Sequence, residues 1–350
     1  MKRFIYSVAA FSILVLGACG GADTPETTED LSTEETQAAT EAEGAISGTL
    51  EFYTSQPDSD ATALVAAFNE AYPEVEVNVF RSGTEEVMSK IAAESQAGDI
   101  QADVLLVADA VTFETLKEQD LLLAYQSPEA EFIPADLLDP DGMYAGTKVM
   151  ATVLAANTAN DGELPASWSV LTEEEAKGQA IMPSPLYSGA AAYNVGVLSR
   201  QDQFGWSFFE GLHENEMTVV QGNGAVLQAV ASGEKSYGVV VDFMVARAKA
   251  EGSPVDLVYP EEGVPVITEP IGIMSNTENE EAAKAFVDFV LSEEGQLVAA
   301  ELGYTPIREG VDAPEGLKPI SEMNVISHDI RELLETREAD KQAFIDIFGE

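Results

Sequence analysis

From Gly48 onward, apolar positions follow two alternating spacings. Short apolar runs such as TLEFYTS (49–55), VEVNVFRSG (75–83) and ADVLLVA (102–108) predict strands. Between them, DATALVAAFNEAYP (60–73) and TEEVMSKIAAESQAG (84–98) predict helices, with Val87, Ile91 and Ser95 on one face of the second. Asp60 or Ser59 is the expected cap of the first helix, Pro73 its stop, and Thr84 the expected cap of the second. Alternation of this kind predicts an α/β fold whose parallel sheet is covered on both faces.

A second alternating block follows. QAIMPSP (179–185), MTVVQG (217–222), SYGVVVDF (236–243) and VDLVYP (255–260) read as strands, separated by the helices SGAAAYNVGVLSR (188–200), AVLQAVASG (225–233) and MVARAKAEG (244–252). Between the blocks, TKVMATVLAANT (147–158) is expected to carry the chain across as a strand, and VPVITEPIGIMSN (264–276) to bring it back. A chain that crosses out and returns builds two lobes joined by paired strands, with a cleft between them. The expected boundaries are 48–152 plus 268–350 for the first lobe and 153–267 for the second. The closing helices, within 279–302 and 326–348, are expected to pack on the first lobe.

The N-terminus follows a different logic. Lys2 and Arg3 precede an apolar segment, Phe4 to Leu16, that is too short for a stable membrane span and ends in small residues. Leu16-Gly17-Ala18-Cys19 resembles a bacterial lipobox, which implies a signal peptide over 1–19, cleavage before Cys19 and lipid on its thiol. Cys19 is the sole cysteine, so no disulfide can form. Residues 20–47 hold no basic residue and almost no large apolar one, and are expected to form a disordered acidic tether.

Charge changes the picture of partners more than of fold. The 62 Asp and Glu outnumber 17 Lys and Arg, a net charge of −45. Acid spread over many helix faces solvates the surface, as in proteins of saline habitats, and argues against nucleic acid and anionic membrane surfaces as partners. A recessed site is little affected, since salt screens exposed charge over about 8 Å at physiological strength.

Several blocks resemble one family. The stretch FYTSQPDSDATALVAAFNEAYPEVEVNVFRSGTEEVMSKIAAESQAG, then ADVLLVADAVTFETLKEQDLL, PSPLYSGAAAY, GNGAVLQAVASGEKSYGVVVDF and EAAKAFVDFVLSEEGQ, resemble bacterial extracellular solute-binding proteins of ABC importers, in the branch of ferric-iron and 2-aminoethylphosphonate binders. The resemblance spans about residues 48–308. It implies a periplasmic-binding-protein fold with two parallel-type sheets, hinge strands and an interlobe cleft. It also implies a monomer that closes on a small solute and delivers it to an ABC permease, anchored outside the cytoplasm through Cys19.

In such a fold, strand-to-helix turns face the cleft. The candidate ligand residues in those turns are Ser55 and Gln56; Arg81, Ser82, Gly83 and Thr84; Asp109; Tyr187, Ser188 and Gly189; Asn223 and Gly224; and Asp242. Most of these turns are rich in hydroxyls or glycine at a helix start, where free amides and the positive end of the helix dipole suit a phosphate, phosphonate or carboxylate. The small run SGAAA after Tyr187 leaves room for an anion. Arg81, one of few cations, is placed for a bidentate grip on an oxyanion. Asp242 is either a helix cap or a partner for a ligand ammonium, which with Arg81 would recognise a zwitterion. Iron-binding members carry adjacent tyrosines after this strand, where this chain has Asp242-Phe243. If iron were bound, Tyr187 and Asp242 would be the first metal ligands to consider, and Tyr193 is expected to pack.

The leading function is therefore capture of an anionic or zwitterionic solute, a phosphonate or phosphorylated compound first, with ferric iron second and a non-transport surface lipoprotein third. An enzyme is not expected. His213 and His328 stand outside any HExxH spacing, and no nucleophile elbow, P-loop or dinucleotide fingerprint calls for a catalytic residue or cofactor.

Overall fold

A computed structural model describes residues 45–159 and 163–349. The signal peptide, Cys19 and nearly all of the tether lie outside these residues. The first block runs β1 (Gly48–Thr54), α1 (Asp58–Ala71), β2 (Val75–Arg81), α2 (Thr84–Ala97), β3 (Val104–Leu106), α3 (Ala110–Glu118) and the short β4 (Leu122–Leu123). β5 (Ala145–Asn157) crosses to the second block, which holds β6 (Ala180–Pro183), α4 (Gly189–Leu198), α5 (Gly205–Glu214), β7 (Thr218–Val220), α6 (Asn223–Ala231), β8 (Tyr237–Val241), α7 (Asp242–Ala250) and β9 (Val255–Val258). β10 (Val264–Met274) returns, followed by α8 (Glu280–Leu291), α9 (Glu293–Glu301), β11 (Thr305–Pro306), β12 (Val325–Ile326) and α10 (Ile330–Phe348).

The two parallel halves are fused into one curled sheet of order β2-β1-β3-β10-β5-β8-β6-β7. β1 pairs in parallel with β2 and β3 in the first lobe, and β6 pairs in parallel with β7 and β8 in the second. β5 joins them because it is long. Its first half, Ala145 to Ala151, pairs antiparallel with β10, and its second half, Thr152 to Asn157, pairs antiparallel with β8 and β9. All its interior residues are buried, as a strand covered on both faces must be.

Each half has its own core. Phe52, Phe68, Phe286 and Phe289 cluster in the first, their ring centroids 4.8–5.7 Å apart. Trp168, Leu154, Val197, Phe209 and Val240 belong to the second, where Trp168 Nε1 donates to the Gly263 carbonyl at 2.8 Å.

Side chains cap the starts of α3, α4, α9 and α10, and two other helix starts depart from expectation. α1 starts two residues before Asp60, after Pro57, and no side chain caps it. Asp60 is fully buried instead, accepting from Arg247 and Tyr304. α2 starts at Thr84 itself, with Gly83 in the cap position. α4 follows the small-residue pattern: Ser188 caps it by accepting from Ala191 N at 3.3 Å, and all ten residues are buried.

The C-terminal helix departs further. α10 packs on α3 of the first lobe but also on α4 and α5 of the second. Arg337 and Lys341 of α10 pair with Glu85 on α2, and Arg337 also with Asp109. From the other side, Arg200 after α4 reaches Asp340 at 2.9 Å. At Gly196 a Cβ would meet the end of the Leu333 side chain at 2.9 Å, so α10 lies close against α4 there. The helix is a strap over both lobes.

Candidate ligand-binding site

The carboxyl ends of the parallel strands converge on a cavity of about 290 Å³. β1 delivers Ser55, Gln56 and Pro57, β2 delivers Arg81, Gly83 and Thr84, and β3 delivers Ala108. From the second lobe, the turn after β6 delivers Tyr187, Ser188, Gly189 and Ala190, the turn after β7 delivers Gln221 through Ala225, and the end of β8 delivers Val241, Phe243 and Met244. The crossing strands add Met150 and Glu269, and Tyr304 completes the wall. This is the place where open α/β sheets hold ligands.

The lobes meet around the cavity. Glu85 N donates to the Tyr187 carbonyl at 3.3 Å. The Tyr187 ring is seated between two glycines, so a Cβ would approach it to 2.6 Å at Gly83 and 3.2 Å at Gly222. At Gly189 a Cβ would lie 2.5 Å from the Ala108 carbonyl oxygen and 2.9 Å from Thr84 Oγ1. Gly189 permits the close approach of two backbones, and Gly83 and Gly222 leave room for the Tyr187 ring.

Within the cavity, Arg81 Nε donates to the Gln56 carbonyl at 2.7 Å, which fixes the guanidinium. Among the described residues no carboxylate pairs with it. Asn223 Nδ2 lies 3.5 Å from Ser188 Oγ, a long contact joining the starts of α4 and α6. Burial raises the Tyr304 phenol far above its ordinary range, reinforced by Glu269 and Asp60, so it stays protonated and donates to Asp60 at 2.7 Å.

Ten of the thirteen candidate residues line this cavity: Ser55, Gln56, Arg81, Gly83, Thr84, Tyr187, Ser188, Gly189, Asn223 and Gly224. The other three do not. Ser82 turns its hydroxyl to Glu86. Asp109 caps α3, accepting from Thr112 N at 3.0 Å, and is held by Arg337 from the strap. Asp242 is 1% exposed, and its carboxylate faces inward to accept from Ala151 N at 3.1 Å, Phe243 N at 2.9 Å and the Tyr259 hydroxyl at 3.0 Å. It is thus neither placed to hold a ligand ammonium nor placed as a metal ligand. Burial pushes its carboxyl up to about 6, against those three donors. Tyr193 packs in the second core, its phenol pushed up to about 12 by burial and by Asp109.

Glu269, Tyr304, Met150, Gln221 and Met244 were not anticipated. Glu269 did leave a signal: it is the one acid inside the apolar return strand VPVITEPIGIM, just as Lys148 is the one cation in the outgoing strand. Among the described residues, no group of three or more His, Cys, Asp or Glu side chains is placed to hold a metal ion.

Known proteins of the same architecture fit this geometry. A fructose-6-phosphate-bound periplasmic binding protein, AfuA, from Actinobacillus pleuropneumoniae aligns with a TM-score of 0.80 at 24% identity, over 86% of this chain and 99% of that one. The iron-bound HitA of Pseudomonas aeruginosa aligns at 0.74 and 22%, over 85% and 99%. In sequence, a probable ABC transporter periplasmic-binding protein of Sinorhizobium fredii is 27% identical over 244 residues, 66% of this chain and 67% of the relative. Iron uptake protein A1 of Synechocystis is 25% identical over 284 residues, 75% of this chain and 76% of the relative. The family model for bacterial extracellular solute-binding proteins matches residues 63–323. With that match over most of its length and the cleft built as described, the chain belongs to the bacterial extracellular solute-binding proteins, the ABC-transporter components that take up a solute outside the cytoplasm and deliver it to a membrane permease.

Proposed function

We propose that this chain captures a small organic anion, a phosphonate or phosphorylated compound, by binding alone and without turnover. The observation that carries the reading is Arg81: a fixed guanidinium in the cavity wall that no carboxylate among the described residues pairs with, in a strongly acidic chain. A guanidinium is the side chain best matched to a bidentate oxyanion. The starts of α4 and α6 add free amides and the positive ends of two helix dipoles in the same cavity.

Volume supports an organic ligand over a bare ion. At about 290 Å³ the cavity is far larger than the space one bare ion fills. The fructose-6-phosphate bound to AfuA is in keeping with that size. Ferric iron is the second reading, favoured by the iron-binding relatives and by Tyr187 in the wall. It is weaker because Asp242, the carboxylate it would have used, is turned into the core.

The finer arrangement belongs to the same proposal. Cleavage before Cys19 and lipid on its thiol tether a monomer to the membrane through residues 20–47, and the lobes divide as 48–152 plus 268–350 and 153–267. A thermal-shift panel of phosphate, 2-aminoethylphosphonate, sugar phosphates and ferric citrate tests the ligand. A phosphorus anion at a hundred times its Kd stabilises by about 2.7 kcal/mol, several degrees in Tm, and Arg81→Ala removes that shift. A response to ferric citrate alone, or an Arg81→Ala protein that binds the anion normally, overturns the reading.

A further inference from the structure

The crossing strand β5 carries an extra residue where it passes β10. Thr268 pairs with Val149 and Pro270 with Gly146, so Glu269 alone stands opposite Thr147 and Lys148. Such a bulge re-aims side chains beside functional sites. Here Lys148 Nζ lies 2.5 Å from Glu269 Oε2, and the two side chains are only 3% and 6% exposed. Thr147 Oγ1 holds the Glu269 carbonyl at 2.6 Å, and Lys148 Nζ sits 4.8 Å over the Tyr304 ring.

A buried ion pair is stable only when hydrogen bonds complete it. The Glu269 carboxylate is incomplete. Oε2 meets Lys148 at ion-pair distance but without hydrogen-bond geometry, and Oε1 receives only a 3.4 Å contact from Ser55 Oγ, beyond the ordinary range. Glu269, Ser55 and Gln56 share the wall of the ligand cavity. Gln56 is 4% exposed, and among the described residues its amide Oε1 also lacks a partner. Buried acceptors with incomplete hydrogen bonding are destabilised, so both call for a donor from the cavity.

Two donors are chemically available in a small anion: an ammonium or a hydroxyl. Lys148 already supplies the positive charge beside Glu269, and a second ammonium there would meet like-charge repulsion. A hydroxyl donates to the carboxylate without adding charge. Building on the anion reading above, we propose that Glu269 is a specificity-determining acceptor for hydroxyls on the body of the ligand. The solute is then a hydroxylated organic phosphate, not an aminophosphonate.

The test compares two double variants of the full chain. K148M/E269L and K148M/E269Q both remove the ion pair, and only the second keeps an acceptor oxygen in the wall. Calorimetric titration uses glucose 6-phosphate, glycerol 3-phosphate, 2-aminoethylphosphonate and inorganic phosphate. In the wild type a hydroxylated phosphate binds at least tenfold tighter than the aminophosphonate. K148M/E269L loses that preference, while K148M/E269Q retains most of it, and any change in affinity for inorganic phosphate is the same in both. Aminophosphonate binding as tight as any hydroxylated phosphate, or equal losses in the two variants, overturns the proposal while leaving the anion site standing. Failure of every phosphorus compound to bind, or no effect of Arg81→Ala, refutes the anion reading and this inference with it.

Discussion

Arg247 on α7 of the second lobe grips both carboxylate oxygens of Asp60 on α1 of the first, at 2.9 and 3.0 Å. The same guanidinium donates to the Leu302 carbonyl, and Tyr304 donates to the same carboxylate. Burial pushes the Asp60 carboxyl up, but Arg247 and Tyr304 more than offset it and hold it below its ordinary 3.8. The pair therefore stabilises the approach of the lobes above that ordinary value, and its contribution is lost as pH falls through the lower folded value.

Arg247→Ala leaves a buried carboxylate with Tyr304 and Ser59 as its remaining side-chain donors. Removing one partner of a buried pair costs about 3–5 kcal/mol, and the partial exposure of Arg247 reduces this to about 2 kcal/mol. If the pair forms on closure, ligand affinity falls tenfold or more, and the liganded protein shows a larger radius of gyration by X-ray scattering. Unchanged affinity and compaction would mean the contact persists in the open state.

Gly189→Ala tests closure from the cavity side. The added methyl meets the Ala108 carbonyl oxygen and Thr84, both on the opposite lobe. Alanine suits a helix start, so the unliganded Tm changes by no more than a few degrees. Ligand affinity drops at least tenfold and ligand-induced compaction is lost. A variant that binds and compacts normally would show that the lobes do not need this approach.

Arg337 is the pivot of the strap. Burial alone would lower its guanidinium, and Asp109 with Glu85 more than offsets that, so it remains charged. Arg337→Met strands Asp109, which is 1% exposed, and costs about 3 kcal/mol in denaturant unfolding. Lys341→Met costs less, because Glu85 keeps Arg337. Equal costs for the two would remove the special role assigned to Asp109.

Asp242 has the opposite pH signature from Asp60. Its carboxyl is raised from 3.8 to about 6, so between those values the unfolded chain ionises while the folded one keeps its proton. Stability therefore falls as pH rises across that window and is flat beyond it, as far as this group is concerned. The Tm difference between Asp242→Asn and wild type should grow in favour of the variant from pH 4 to about pH 6.5. A difference that is constant with pH would mean that Asp242 is ionised in the folded protein throughout.

The sequence by itself determined the alternation of strands and helices, the two crossing strands and the turns that form the site. Those features are written in local periods: strand and helix spacing, a Ser at a helix start, a Gly beside it. Ten candidate residues reach the cavity because strand-to-helix turns at the carboxyl end of a parallel sheet share one edge whatever their side chains do. Side-chain direction is another matter, since it depends on partners far along the chain. Asp109 is claimed by Arg337, 228 residues away, and Asp242 by Ala151, 91 residues away. Asp60 looked like a cap because caps are local, yet its partner Arg247 is 187 residues on. Glu269 enters the cavity through a bulge in the pairing of β5 with β10, and register between distant strands leaves no trace in either strand alone. Only the tertiary structure could decide which acids serve the fold and which one lines the cavity, because burial and ion pairing are set by what the chain brings together.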